Sequence, residues 1–178
     1  MDRQPRKPVA PVTMSFMELE VRPAGSEDVD TVVDILSEAA RWVIAKGHPQ
    51  WPVPFPRRVV EEAVGRGELF VAEQAGEVVG TLTFQEEDLL FWGEQAPVAC
   101  YVHRLAVRRD RAGRGIGERL LVWAEREAAA RGRRYLRLDC VAANERMRAY
   151  YEDLGFERRG ERIFDDGFAA ALYERPVR

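Results

Sequence analysis

A strand, a glycine cluster and a helix follow one another directly between residues 98 and 132, and this succession constrains the chain more than any other feature. Residues 98–107 are apolar enough for a central strand, and simple alternation puts Tyr101, His103, Leu105 and Val107 on one face. Ala112-Gly113-Arg114-Gly115-Ile116-Gly117 comes next. Ile116, Leu120, Leu121, Ala124 and Ala128 then recur at helical spacing as far as Gly132. Glycines at such a junction let the backbone approach a ligand closely, and the free N–H groups and dipole of the helix start favour an anion such as a pyrophosphate. A P-loop would need Gly-Lys followed by Ser or Thr, which this turn lacks. A dinucleotide fingerprint would need glycine where Leu120 stands. Asp139 does lie about 20 residues on, but only about 60 residues remain after the turn, too few for paired βαβ halves. Glycines that merely allow tight turning are the plain alternative.

Around this unit the chain reads β-α-α-β-β-β-α-β-α-β-β. Residues 19–22 alternate like a strand, and Ser26, followed by Glu27 and Asp28, suits a helix cap. Val29, Val32, Val33, Leu36, Ala40 and Val43 give that helix one apolar stripe, ending near Gly47. Residues 48–56 hold four prolines and Trp51 and read as a loop. A short helix over 57–65 precedes two strands, 69–73 and 78–84, joined by Ala75-Gly76. After the polar stretch 86–95 and the central unit, 135–141 is another alternating strand. Met147, Tyr150, Tyr151 and Leu154 then form a helical stripe ending at Gly155, with Tyr150 the expected core member. Strands near 156–164 and 168–175 flank Asp165-Asp166-Gly167. Residues 1–16, with three prolines and no periodicity, read as a disordered leader to one domain over 17–178.

Composition narrows the function classes. Apolar residues make up 46% and charged residues 32% of the chain, which suits a globular domain rather than a disordered or collagen-like one. A net charge of −3 gives no basic excess for nucleic acid, and no apolar run reaches membrane-spanning length. A cytoplasmic protein without a nucleic-acid or membrane partner is the expectation. Lysine is scarce beside arginine, which points to a GC-rich bacterial source. Cys100 and Cys140 lack metal or CxxC spacing and read as buried thiols, so no metal is expected.

Two motifs, about 27 residues apart, resemble those of the GNAT superfamily of acetyl-CoA-dependent N-acetyltransferases, and the likeness spans roughly residues 19–175. The first is Leu105-Ala106-Val107, then Ala112 to Gly117 and Leu120-Leu121; it departs from the family in having Ala112 where Gln or Arg is usual. The second is Asn144, Met147, Tyr151 and Leu154-Gly155-Phe156, with Met147 in place of a small residue. The resemblance implies an α/β (α+β) fold, a mixed sheet of about seven strands flanked by about four helices. It also implies acetyl-CoA as co-substrate, held by Leu105, Ala106, Val107, Ala112, Gly113, Arg114, Gly115, Ile116, Gly117 and Asn144.

In that family an amine attacks the thioester directly, and the departing thiolate takes a proton. The resemblance gives the acid's role to Tyr151; membership of the apolar stripe is the alternative. His103 stands where many relatives keep a glutamate two residues before Leu-Ala-Val. An imidazole with pKa near 6.5 can accept a proton at pH 7, so His103 is expected to act as base or water anchor, with a kinetic pKa of about 6 to 7. A hydrogen-bonded role within the sheet is the alternative. Asp139 either orients His103 or pairs with an arginine, and Tyr101 shares the His103 face. In the first interhelical loop His48, Trp51 and Phe55 offer an aromatic wall for a cationic amine, unless Trp51 only packs on the prolines. The acceptor is expected to be a small or peptide amine, with room for a homodimer. A non-catalytic acyl-CoA-binding or interaction module on the same fold is the competing reading.

Overall fold

The computed structural model describes residues 19–178, so the expected leader lies outside the described residues. The elements are β1 (Glu20–Pro23), α1 (Val29–Ala45), α2 (Arg57–Gly65), β2 (Leu69–Gln74), β3 (Glu77–Gln85), β4 (Ala99–Val107), α3 (Ile116–Ala130), β5 (Tyr135–Val141), α4 (Glu145–Asp153), β6 (Glu157–Ile163) and β7 (Ala169–Pro176). Seven strands form one sheet in the order β1-β2-β3-β4-β5-β7-β6. All neighbours are antiparallel except β4 and β5, which are bridged by α3 and run parallel.

Two apolar layers sandwich this sheet. On one face α1 and α2 bury Val32, Ile35, Leu36 and Val60 against Leu69, Val71 and Ala106. On the other, Ile116, Leu120, Leu121, Ala124 and Ala128 of α3 and Tyr151 of α4 pack on Phe70, Leu82, Cys100, Val102, Leu136 and Leu138. Each fully buried Leu or Val contributes about 1.5–3 kcal/mol, so the helical stripes are what clamp the sheet from both sides. Ser26 does not cap α1. Residues 26–28 form a short 3-10 turn, and Asp28 instead accepts the Gly25 N–H at 2.8 Å while bonding Arg22 at 2.8 Å and 3.0 Å.

The strand alternation expected for β4 fails at one residue. Thr83 pairs with His103 but Thr81 pairs with Ala106, so β4 carries one extra residue, and Arg104 sits there with φ of 52°. This bulge reverses the facing of everything after it. His103 stays on the α1/α2 side and Ala106 joins that core, whereas Leu105 and Val107 pack with the α3 cluster.

Candidate active site

The parallel pair is short. Ala99–Val102 of β4 pair with Tyr135–Leu138 of β5, and beyond them the two strands separate, β4 staying with β3 and β5 with β7. A cleft of about 920 Å³ opens along that gap. Its lining includes Leu105, Ala106, Val107, Ala112, Gly113, Gly115, Ile116, Gly117, Asn144, Trp51, Phe55, His103, Asp139 and Tyr151, fourteen sequence-predicted residues that the fold brings together. Three others fall elsewhere. Arg114 does not line the cleft, and His48 lines a smaller neighbouring pocket of about 190 Å³ with Lys46 and Arg146. Tyr101 is buried outside the lining, where its oxygen accepts a hydrogen bond from Arg137 at 3.0 Å. Arg137 in turn bonds Glu174 at 2.8 Å and lies 4.4 Å from the Trp92 ring centroid, which accounts for Tyr101 as a structural partner.

The glycine turn is built by backbone conformation. Gly113 and Gly115 have φ of 76° and 73°, a left-handed region that costs other residues about 1–2 kcal/mol. Gly115 is the N-cap of α3, and no side chain caps that helix, so its first N–H groups remain open to a ligand. The Ala112 N–H is not open to a ligand, since it reaches the Arg109 carbonyl at 3.3 Å. Arg109 fixes this connection to α1 twice: its N–H donates to Glu38 at 3.0 Å, and its guanidinium lies 4.1 Å from the Trp42 ring centroid. Asn144 lines the cleft while capping α4, its Oδ1 accepting the Met147 N–H at 3.1 Å.

Both tyrosines border the cleft, and the expectation that Tyr150 is the core member fails. Tyr150 is 37% exposed and borders the cleft, whereas Tyr151 is 7% exposed and packs against Phe156 and Tyr173. A short helix over a splayed sheet edge buries only part of its stripe, and here Tyr151 takes that part. Burial raises the Tyr151 phenol well above its ordinary pKa, so it remains protonated.

His103 is enclosed by carboxylates. Its Nε2 lies 3.2 Å from Asp88 Oδ2 and its Nδ1 lies 3.2 Å from Asp139 Oδ1, with all three side chains at or below 10% exposure. Burial pulls the imidazole pKa down, but the contacts with Asp139 and Asp88 outweigh it and raise the value to about 9. These contacts favour the charged ring at neutral pH, which speaks against the expected base with a kinetic pKa of 6 to 7. Asp139 lies beside His103, the partner named in the first of its two expected roles.

Sequence reasoning missed Asp88. The stretch around it looked merely polar, although Asp three residues before an aromatic is a turn signal: Asp88 Oδ1 accepts the Phe91 N–H at 3.0 Å. That bond fixes Phe91 in the cleft wall, 5.8 Å from the His103 ring and 5.4 Å from Phe164. Asp88, His103 and Asp139 also lie close enough to attract a cation.

The matches with known proteins follow this geometry. A family model described as the acetyltransferase (GNAT) family matches residues 30–156. The chain belongs to the GNAT family of acetyltransferases. It is 31% identical over 163 residues to the N-acetyltransferase YesJ of Bacillus subtilis (strain 168), itself uncharacterized, covering 87% of this chain and 88% of YesJ. A GNAT-family acetyltransferase structure from Listeria monocytogenes 4b F2365 superposes with a TM-score of 0.74 at 27% identity, covering 93% of this chain and 99% of that one. The fold is shared more widely: yncA of Salmonella typhimurium, solved with its cofactor acetyl-CoA, has a TM-score of 0.65 at 16% identity over 90% of this chain and 95% of that one. The sheet and four helices of this GNAT protein thus match the expected architecture.

Proposed function

We propose that this GNAT protein transfers the acetyl group of acetyl-CoA to a primary amine by direct attack within a ternary complex. One observation carries the reading: a single cleft joins an open helix start at the glycine turn to a buried acid and a carboxylate wall. The cofactor named for yncA supports the choice of acyl donor. In this reading the first N–H groups of α3 and the turn at Gly113 and Gly115 receive the pyrophosphate. The separated edges of β4 and β5 leave backbone groups unpaired with each other, and the amides of the pantetheine arm bond there as an added strand would.

Attack needs the neutral amine, whereas an alkylammonium with pKa about 10 is almost wholly charged at pH 7. Asp139, facing the cleft, receives the ammonium, and His103 holds that carboxylate in place as its counter-ion. The ammonium first gives a proton to water beside Asp139; the neutral nitrogen then bonds the acetyl carbon, the carbon–sulfur bond breaks, the surplus proton on the new amide nitrogen leaves to water at the same carboxylate, and Tyr151 gives its proton to the departing thiolate. Trp51, 5.9 Å from Phe55 in an edge-on pair, walls the acceptor end with Phe91 and Phe168.

The test is release of free thiol from acetyl-CoA across a panel of polyamines, amino acids, aminoglycosides and peptides, with mass spectrometry of the product. Amine-dependent thiol release with an N-acetyl product is the expected result. Acetyl-CoA binding without turnover on any amine would favour a non-catalytic acyl-CoA-binding module.

A further inference from the structure

Arg104 is a partly buried charged group of the cleft that this reaction leaves unused. Arg104 lines the cleft next to His103, is only partly exposed, and reaches one hydrogen-bond partner, Thr83 Oγ1 at a long 3.4 Å. Among the described residues no carboxylate comes within ion-pair distance of it, whereas His103, Arg109, Arg111 and Arg137 around the same strands each bond or touch an acid or an aromatic ring. A guanidinium taken partly out of water without a counter-ion is costly. Its backbone is costly too: φ of 52° is a conformation worth about 1–3 kcal/mol of strain in a residue other than glycine. Two such penalties at one residue in the wall of a cleft are accounted for if a ligand supplies what the protein withholds.

Charge balance identifies the ligand. Asp88 and Asp139 carry two negative charges, the His103 imidazolium carries one positive and Arg104 a second, so the inner groups of the acceptor end balance, while Asp166 lines the cleft as an exposed, solvated carboxylate. A plain alkylammonium would pair with Asp139 and leave Arg104 uncompensated. A phosphate dianion would overcompensate it. A molecule with one ammonium and one carboxylate satisfies both sides, and the walls of Trp51, Phe91 and Phe168 suit an apolar remainder.

We propose that Arg104 binds a carboxylate on the acceptor, so that the substrate class is an amino carboxylate with an apolar side chain. Burial and the nearby Arg66 charge hold the Arg104 pKa below its ordinary value, while Glu68 and Asp139 act the other way; an incoming carboxylate relieves that penalty.

This inference rests on the acetyltransferase reading, and matched substrate pairs separate the two. Thiol release is measured for phenylalanine against phenethylamine and methionine against 3-(methylthio)propylamine, with a 3-amino and a 4-amino acid added to read the spacing. The wild-type protein should favour the carboxylate-bearing member by about tenfold or more in kcat/KM, as a hydrogen bond to a charged group typically gives. In Arg104→Gln that ratio should fall towards one, and Arg104→Lys should restore part of it. Should the glutamine variant not fold, Arg104→Asn serves, because asparagine adopts positive φ more readily than most residues. Turnover of amines with no preference for a carboxylate, or an equal loss on both members of each pair in Arg104→Gln, would overturn the role of Arg104 and leave the acetyltransferase reading intact. Absence of turnover on every amine would overturn both.

Discussion

The two ends of the cleft are built by different means. At the end proposed to hold the coenzyme, backbone does the work: two glycines in the left-handed region and an uncapped helix start place open N–H donors within a few residues of sequence. At the acceptor end side chains do it. Asp88 comes from the loop after β3, His103 and Arg104 from β4, Asp139 from β5, and Trp51 from the loop between α1 and α2. A local backbone device serves one constant ligand, whereas a site assembled from four separate segments can be changed at each of them independently. The comparison implies that a single change at the turn disables binding outright, while changes at the acceptor end alter pH response and choice of amine.

The largest effect is therefore expected at Gly115. Gly115→Val sets a β-branched residue at φ of 73° beside the α3 N-terminus, and acetyl-CoA affinity measured by calorimetry should fall by about 100-fold or more. Unchanged affinity in a folded variant would break the contrast between the two ends. Tyr151→Phe comes next: kcat should fall by about tenfold or more with little change in the acetyl-CoA KM, since an acid in the transition state contributes about 10² to 10⁴ in rate. A wild-type turnover number in that variant would make Tyr151 a packing residue only.

A smaller and more specific effect concerns His103. The chain has 2 histidines, so its ring protons can be followed by NMR; the His103 midpoint should lie near 9 rather than near 6.5. The folded-state value is raised above the unfolded one. The stability that His103 contributes is therefore fully present below about pH 6.5 and is lost as the pH rises through about 9. Thermal unfolding should register that loss between those values. Asp88→Asn should lower the midpoint and flatten this part of the stability profile, and Asp88→Glu should recover part of both. A wild-type midpoint near 6.5 would return His103 to the part of a neutral base and undo the charge ledger of the acceptor end.

What could be read in the sequence follows the same division. The order of eleven elements, the glycine turn and the tyrosine helix were legible because hydrophobic periodicity and turn residues are local signals. The bulge at Arg104 was not, because one extra residue in a strand leaves the apolar run intact while reversing the facing of Leu105 and Val107. Nor was the burial of Tyr151 rather than Tyr150, since both satisfy the same helical stripe. The surroundings that favour a charged His103 were not legible either, since its second carboxylate arrives from a loop 15 residues upstream that carries no periodic signal. Tyr101 shares the His103 face, yet Arg137 and Trp92 hold it outside the cleft; Arg137 depends on the β4–β5 register and Trp92 comes from the loop after β3.

Two-substrate steady-state kinetics test the central claim, that one cleft holds both reactants for direct transfer. With an amine identified from the panel, initial rates at varied acetyl-CoA and amine should give intersecting reciprocal lines, and intact-protein mass spectrometry with acetyl-CoA alone should find the protein mass unchanged. Parallel lines, together with an acetyl adduct on the protein before amine is added, would contradict direct attack and require a covalent nucleophile that the reaction proposed for this cleft does not use.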